Sequence, residues 1–327
     1  MNIDALLEHI AGRQRGQRQI YHVEELPERP ARYAEVELKP ALAAALRRRG
    51  IERLYTHQAE AIRHVRDGKS VVVVTSTASG KTLCYWVPIV ETLLDNPLAT
   101  ALTIYPTKAL AQDQFRGLTQ MRDDLADTHF LCGPYDGDTP QNQRRKLRNQ
   151  ASVILTNPDM LHQGILPNHA RWARFFQHLK FVVIDEVHAY RGVFGSHLAN
   201  VVRRLHRVCR HFGAEPQFIC SSATIANPKQ LAEALTETPF EVIERNGAPS
   251  GERYFIFYNP PVVNRQLGIR RSYLHEARRL AIEFLERGQQ TLVFANNRLA
   301  TEVLVTYLKD AAARLHLLPE AVRGYRG

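Results

Sequence analysis

Six short runs of continuously apolar, largely β-branched residues recur up to residue 243, at 71–75, 101–105, 152–156, 181–185, 217–221 and 240–243. A strand with one face in water alternates apolar and polar side chains, whereas a strand covered on both faces has no reason to alternate. Helix-compatible stretches separate the runs. Repeated strand–helix units of this kind predict an α/β fold, a parallel sheet with helices on both faces.

The same pattern divides the chain. Residues 1–50 are helix-prone, carry both charge signs and are broken by Pro27, Pro30 and Pro40, which predicts a helical lead-in. Residues 51–243 form the layered domain. Over 244–270 the periodicity stops, and Gly247, Pro249, Gly251 and the Asn259-Pro260-Pro261 step predict a linker. Residues 271–327 begin a second α/β unit. A helix over 272–287 ends at Gly288, an apolar strand spans 291–295, and a further helix starts at about Asn297 with Leu299, Ala300, Val303, Leu304, Tyr307 and Leu308 on one side.

Hydrophobic residues make up 44% of the chain and charged residues 23%, which supports a large core and excludes bulk disorder. Forty-three Lys and Arg against 33 Asp and Glu give a net charge of +10, a mild pointer to a polyanionic partner. The four cysteines, Cys84, Cys132, Cys209 and Cys220, are far apart and form no C-x-x-C pair, so neither a metal cluster nor a disulfide framework is expected. Met1 to Ile10 lacks a signal-peptide pattern, and no apolar run approaches the roughly 20 residues of a membrane span. The expectation is a soluble protein of the reducing cytoplasm.

Two strand ends carry chemistry. The run 71–75 feeds Ser76-Thr77-Ala78-Ser79-Gly80-Lys81-Thr82 and then a helix. A phosphate loop needs backbone N–H groups turned towards phosphate oxygens, a lysine for the β- and γ-phosphates, and a hydroxyl on Mg²⁺. Gly80-Lys81-Thr82 supplies these, although Thr75 stands where the general pattern has its first glycine, and the segment alone also reads as an ordinary polar turn. The run 181–185 closes on Asp185 and Glu186. Ligands of parallel sheets gather at the carboxyl ends of strands, so these acids can converge on the loop. One carboxylate would hold Mg²⁺ and the next would orient or deprotonate a water.

In order and spacing, Gly80-Lys81-Thr82, Asp185-Glu186-Val187-His188 and Ser222-Ala223-Thr224 resemble motifs I, II and III of superfamily 2 helicases of the DExH-box kind. Longer runs are similar to the mitomycin repair factor A family of bacterial DNA helicases and its fungal RecQ-like relatives. These are the segment from Thr77 to Tyr85, Tyr105 to Gln114, Tyr135-Asp136-Gly137-Asp138-Thr139, Thr156 to His162, and Tyr190 to His197. The similarity covers the chain from about Leu38 onward.

The resemblance implies a RecA-like domain, a phosphate-loop NTPase, followed by the start of a second. It implies ATP and Mg²⁺ as cofactors, with Thr56, His57 and Gln58 matching the adenine-reading Q motif and Tyr55 placed to stack on the base. Thr77, Ala78, Ser79, Gly80, Lys81 and Thr82 would cradle the phosphates, Thr82 and Asp185 would hold Mg²⁺, and Glu186 would be the general base. His188, Ser222, Ala223 and Thr224 would couple the nucleotide to the track, although a packed strand-end histidine and a helix cap explain those positions too. Pro106, Thr107 and Lys108, then Asp136, Gly137 and Asp138, then Thr156, Asn157 and Pro158 match motifs Ia, Ib and Ic, which grip single-stranded DNA. Gly137 also reads as a turn glycine and Pro158 as a loop breaker.

Two basic clusters, Arg144, Arg145, Lys146 and Arg148 and then Arg203, Arg204, Arg207 and Arg210, read as solvated helix faces. Trp86 and Trp172 read as core. The sequence closes at Gly327, where the family continues into motifs V and VI with their arginine finger. The expected function is therefore that of an ATP-dependent DNA helicase motor with 3′-to-5′ polarity in DNA repair, not competent to unwind in this length. An RNA helicase and a non-catalytic nucleotide-binding fragment are the alternatives.

Overall fold

The computed structural model describes residues 5, 10, 19–125 and 130–325. The chain divides into two compact units, Arg29–Ser250 and the described residues up to Glu28 together with those from Gly251 onward.

The larger unit is built on a sheet of seven strands. In chain order they are β1 (Val71–Val74), β2 (Thr100–Ile104), β3 (Cys132–Pro134), β4 (Val153–Thr156), β5 (Leu179–Ile184), β6 (Gln217–Ser222) and β7 (Glu241–Ile243). Across the sheet the order is β7-β1-β6-β5-β2-β4-β3, and every pair is parallel. This is the RecA-like α/β fold. Successive side chains leave a strand on opposite faces. Accordingly Val72, Val74, Leu102, Ile104, Val182 and Ile184 enter one core, and Val71, Val73, Ala101, Val153, Leu155 and Val183 enter the other. Burial on both faces is the physical reason for the unbroken apolar runs.

Helices close both faces. The helix Gly192–His211 buries Leu198, Val202 and Leu205 while Arg203, Arg207 and Arg210 stay exposed, the amphipathic arrangement its sequence specifies. Trp86 and Trp172 are buried in the two cores. Strand register decides where the functional loops emerge. Val74 pairs with Ser222, Ile184 with Cys220 and with Ile104, Ile104 with Thr156, and Leu155 with Pro134. The carboxyl ends of these strands therefore line one edge, and the loops after them open side by side.

The smaller unit departs from expectation. Residues within the supposed helical lead-in form a strand, Ile20–Leu26, which pairs antiparallel with Arg253–Tyr258, inside the supposed linker. Residues 1–4, 6–9 and 11–18 of the lead-in lie outside the described residues. Arg253–Tyr258 alternates exposed and half-buried residues as a two-stranded ribbon must. A second small ladder joins Val262–Asn264 to Ile269–Arg270. The expected helices are Tyr273–Glu286 and Arg298–Arg314, the latter capped by the Asn297 side chain, which accepts from the Ala300 N–H at 2.8 Å. Residues 291–295 are not a strand, because no other strand lies beside them among the described residues. Leu299, expected on the packed side of the last helix, is 75% exposed, whereas Leu304 and Leu308 are buried.

Candidate nucleotide site and nucleic-acid edge

The loop after β1 is held from several sides. Thr75 and Ser79 share a hydrogen bond of 2.6 Å between their hydroxyls, and both are buried. Gly80 sits at φ +78°, and a Cβ there would lie 2.6 Å from Gln58 Nε2. Ala78 adopts φ +59°, a left-handed conformation that costs a non-glycine residue roughly 1 kcal/mol. Thr77, Ala78 and Gly80 are exposed, and Thr82 leads into the helix Leu83–Asp95. The Lys81 ammonium donates to the carbonyls of Thr75 at 2.9 Å and Ser76 at 3.2 Å, folding over the loop's own backbone.

Gln58 ties the loop to the preceding segment. Its Nε2 donates to the Gly80 carbonyl and its Oε1 accepts from the Tyr55 N–H, each at 2.9 Å. One hydrogen and one lone pair of the amide remain for a ligand. Tyr55 stacks between Tyr33 and His57, with ring centroids 5.4 and 5.9 Å away. His57 is fully buried, and burial, reinforced by the nearby Lys81 charge, holds its imidazole down at about 4. Its Nδ1 accepts from the Gly247 N–H at 3.2 Å, which leaves the proton on Nε2.

Asn246 and Gly247 fall within the stretch whose composition predicts a linker, yet they form part of the wall of this site. Asn246 Nδ2 donates to Ser76 Oγ at 2.8 Å, and a Cβ on Gly247 would meet Thr56 Oγ1 at 2.3 Å and the Arg32 carbonyl at 2.7 Å. Composition offered no signal beyond one glycine among several.

The two acids stand at the end of β5, separated from β1 only by β6, so the strand ends lie roughly 10 Å apart at ordinary sheet spacing. Asp185 is buried, and burial raises its carboxyl to about 6, with the Glu186 charge adding to the effect. Its Oδ1 accepts from the Ser221 hydroxyl and from the Glu186 N–H, while Oδ2 has no donor among the described residues. Glu186 is held at φ +54°, and its buried Oε2 likewise has no donor. His188 Nδ1 lies 3.1 Å from that oxygen and 3.2 Å from the Ala223 N–H. The ring nitrogen cannot donate to Glu186 and accept from Ala223 at once. When Nδ1 accepts from Ala223 it has no proton for Glu186, whose Oε2 is then left without a donor. The Ser222–Thr224 segment is thereby tied to the Asp185–His188 turn through the Ala223 N–H, with Ser222 Oγ buried and unpaired beside it and Thr224 exposed. Neither of those hydroxyls caps the helix Pro228–Thr236, whose N-terminal flanking residue is Asn227.

No cluster of three or more His, Cys, Asp or Glu side chains among the described residues could hold a metal by itself. Two orphaned carboxylate oxygens beside a lysine and a threonine suit Mg²⁺ carried on phosphate oxygens, because that ion keeps several waters and takes only one or two carboxylates. The residues therefore fit the group. A cavity of about 590 Å³ lies elsewhere, against Lys39, Arg66 and Glu91.

Further along the same edge, Lys108 pairs with Asp138 at 2.8 Å, and Gly137 lies beneath the ammonium. Pro106 and Thr107 precede the helix Lys108–Asp123, with Thr107 Oγ1 capping the Leu110 N–H. Asn157 Oδ1 caps Met160 in the same way at 2.8 Å. Three of the residues expected to touch nucleic acid are buried in their loops. Thr156 is buried with its hydroxyl donated to the Tyr135 carbonyl, Asp136 is buried and accepts from the Asp138 N–H, and Pro158 is buried in its turn. Arg144, expected to be a solvated cation, donates to the carbonyls of Asp136 and Gly137 at 2.6 and 3.0 Å and holds that loop in shape.

The profile of one family, described as DEAD/DEAH box helicase, matches residues 55–231, more than half of the chain. The chain belongs to the DEAD/DEAH box helicase family. It is 49% identical over 286 residues to the ATP-dependent helicase YprA of Bacillus subtilis, covering 88% of this chain and 38% of that protein. It is 37% identical over 318 residues to the ATP-dependent helicase HRQ1 of Saccharomyces cerevisiae, covering 94% and 29%. Among solved structures, the DUF1998 helicase MrfA bound to DNA and AMPPNP superposes with a TM-score of 0.88 at 45% identity, covering 95% of this chain and 43% of that one. The chain thus spans about two fifths or less of the length of these helicases. No helix among the described residues is long and apolar enough to cross a membrane.

Proposed function

We propose that this chain supplies the nucleotide-binding lobe of an ATP-driven motor that moves on single-stranded DNA. By likeness to its family, the motor would unwind with 3′-to-5′ polarity in DNA repair. The observation that carries the reading is that Lys81, folded over its own loop carbonyls, and the Asp185–Glu186 pair, whose buried Glu186 Oε2 has no donor, stand at the carboxyl ends of strands along one edge of the sheet. A relative of 45% identity binds AMPPNP and DNA together.

ATP would bring the phosphoanhydride that powers the motor, and Mg²⁺ would neutralise charge on its terminal phosphates. Lys81 exchanges the Thr75 and Ser76 carbonyls for phosphate oxygens. Thr82 and Asp185 would offer oxygens to the metal, and Glu186 would take the proton of the attacking water. Gln58, bonded to Gly80, joins base recognition to loop geometry. The Ala223–His188 bond transmits the state of Glu186 to the loops that hold the strand. Lys108, the Thr107 and Asn157 caps and the exposed backbone at Gly137 contact phosphates without reading bases.

A paired assay tests this. Glu186→Gln should bind an ATP analogue like the wild type yet show no turnover. Single-stranded DNA should bind the wild type with affinity that is independent of sequence and falls steeply with salt. Strong dependence on base sequence, or tighter binding of single-stranded RNA than DNA, would overturn the DNA reading.

A further inference from the structure

Beside the Asn157–Pro158 turn lies a cleft of about 400 Å³, in which Pro158 alone of the residues assigned above takes part. The Phe194 ring forms part of its wall and is 42% exposed, with Val193 next to it at 76%. Such exposure is costly for two adjacent apolar side chains at the start of a long, otherwise well-packed helix. The ring is nevertheless fixed. It rests against buried Tyr190, with centroids 5.2 Å apart. Around it stand Arg204, Arg207, His162 and His197, against a single carboxylate, Asp159. Arg204 donates to the His162 carbonyl at 3.3 Å, which steadies one cation at the rim.

A braced aromatic face flanked by two arginines suits one chemistry well, a nucleobase with its phosphate. Stacking on an aromatic ring holds any base, because every base has a π face, and arginines take the adjoining phosphates. Pro158 also lines the cleft, so it continues directly from the Asn157–Pro158 turn at the end of β4. We infer that this cleft is a second single-stranded DNA subsite, in which one base stacks on Phe194 while Arg204 and Arg207 hold its flanking phosphates. The inference rests on the DNA reading above and adds to it a contact that senses the base rather than the backbone alone.

The test uses residues 1–327, an oligothymidylate and an oligonucleotide of the same length with abasic sites throughout. Phe194→Ala should weaken oligothymidylate binding at least about fivefold, and Phe194→Trp should retain it. On the abasic strand, wild type and Phe194→Ala should bind alike. Arg204→Gln and Arg207→Gln should each lower the slope of log affinity against log salt by roughly 0.7. Unchanged thermal midpoints identify variants that fold normally. If Lys108→Ala weakens binding and Phe194→Ala does not, the subsite is refuted while the motor reading stands. If neither does, both fall. Equal weakening of Phe194→Ala on the two strands would also overturn the stacking role.

Discussion

His57 and Asp185 should give the larger unit two opposed pH dependences of stability, visible only when one is removed. The His57 imidazole is held at about 4 by burial, against 6.5 for an exposed histidine. Its contribution is complete above pH 6.5. As the pH falls from there towards 4 the unfolded chain takes up a proton that the folded one refuses, and the contribution is lost. That displacement corresponds to about 3 kcal/mol. Asp185 works the other way. Its carboxyl is raised from 3.8 to about 6, so the folded state holds the proton more tightly, and stability is lost as pH rises through the same interval, again by about 3 kcal/mol. Between pH 4 and 6.5 the two nearly cancel. Asp185→Asn should therefore lose about 3 kcal/mol on acidification across that window relative to wild type, and His57→Gln should gain a similar amount. Urea unfolding followed by tryptophan fluorescence is the assay, because both tryptophans, Trp86 and Trp172, are buried in this unit. Comparison with wild type cancels the other carboxylates. Parallel pH profiles for the two variants would refute the reasoning.

Gly247→Ala should destabilise the unit by about 1–3 kcal/mol and weaken nucleotide binding, since its Cβ would press on the Arg32 carbonyl and the Thr56 backbone; an unchanged thermal midpoint would contradict that. Asp138→Asn frees Lys108 from its ion pair and should strengthen single-stranded DNA binding roughly two- to fivefold at low salt, with the gain vanishing at high salt. Anisotropy titrations check it, and a loss of affinity would contradict the phosphate role of Lys108.

The strands that position the site are legible in the sequence because burial on both faces leaves them no polar positions, as Val71–Val74 and Leu179–Ile184 show. Lys81, Asp185 and Glu186 stand out at their ends because a phosphate site requires residues of these types there. The edge strand Cys132–Pro134 is not, being three residues long with a glycine forced by Leu147, whose nearest carbon would lie 2.8 Å from a Cβ. Nor is the pairing of Ile20–Leu26 with Arg253–Tyr258, since partners separated by most of the chain leave no local signal. Residues 291–295 show the converse. A strand-like pattern makes no strand without a neighbour to bond to. The buried roles of Thr156 and Asp136 were hidden for a related reason, because a hydroxyl or carboxylate in a loop looks the same whether it faces a ligand or its own backbone.

If Lys81 and the Asp185–Glu186 pair form one nucleotide site, removing the lysine must abolish binding even though the acids remain. Titration of a fluorescent, non-hydrolysable ATP analogue with Mg²⁺ into wild type and Lys81→Ala tests this directly. Saturable binding to the wild type and none to the variant is expected, with both chains equally folded. Equal affinity in the two would contradict it.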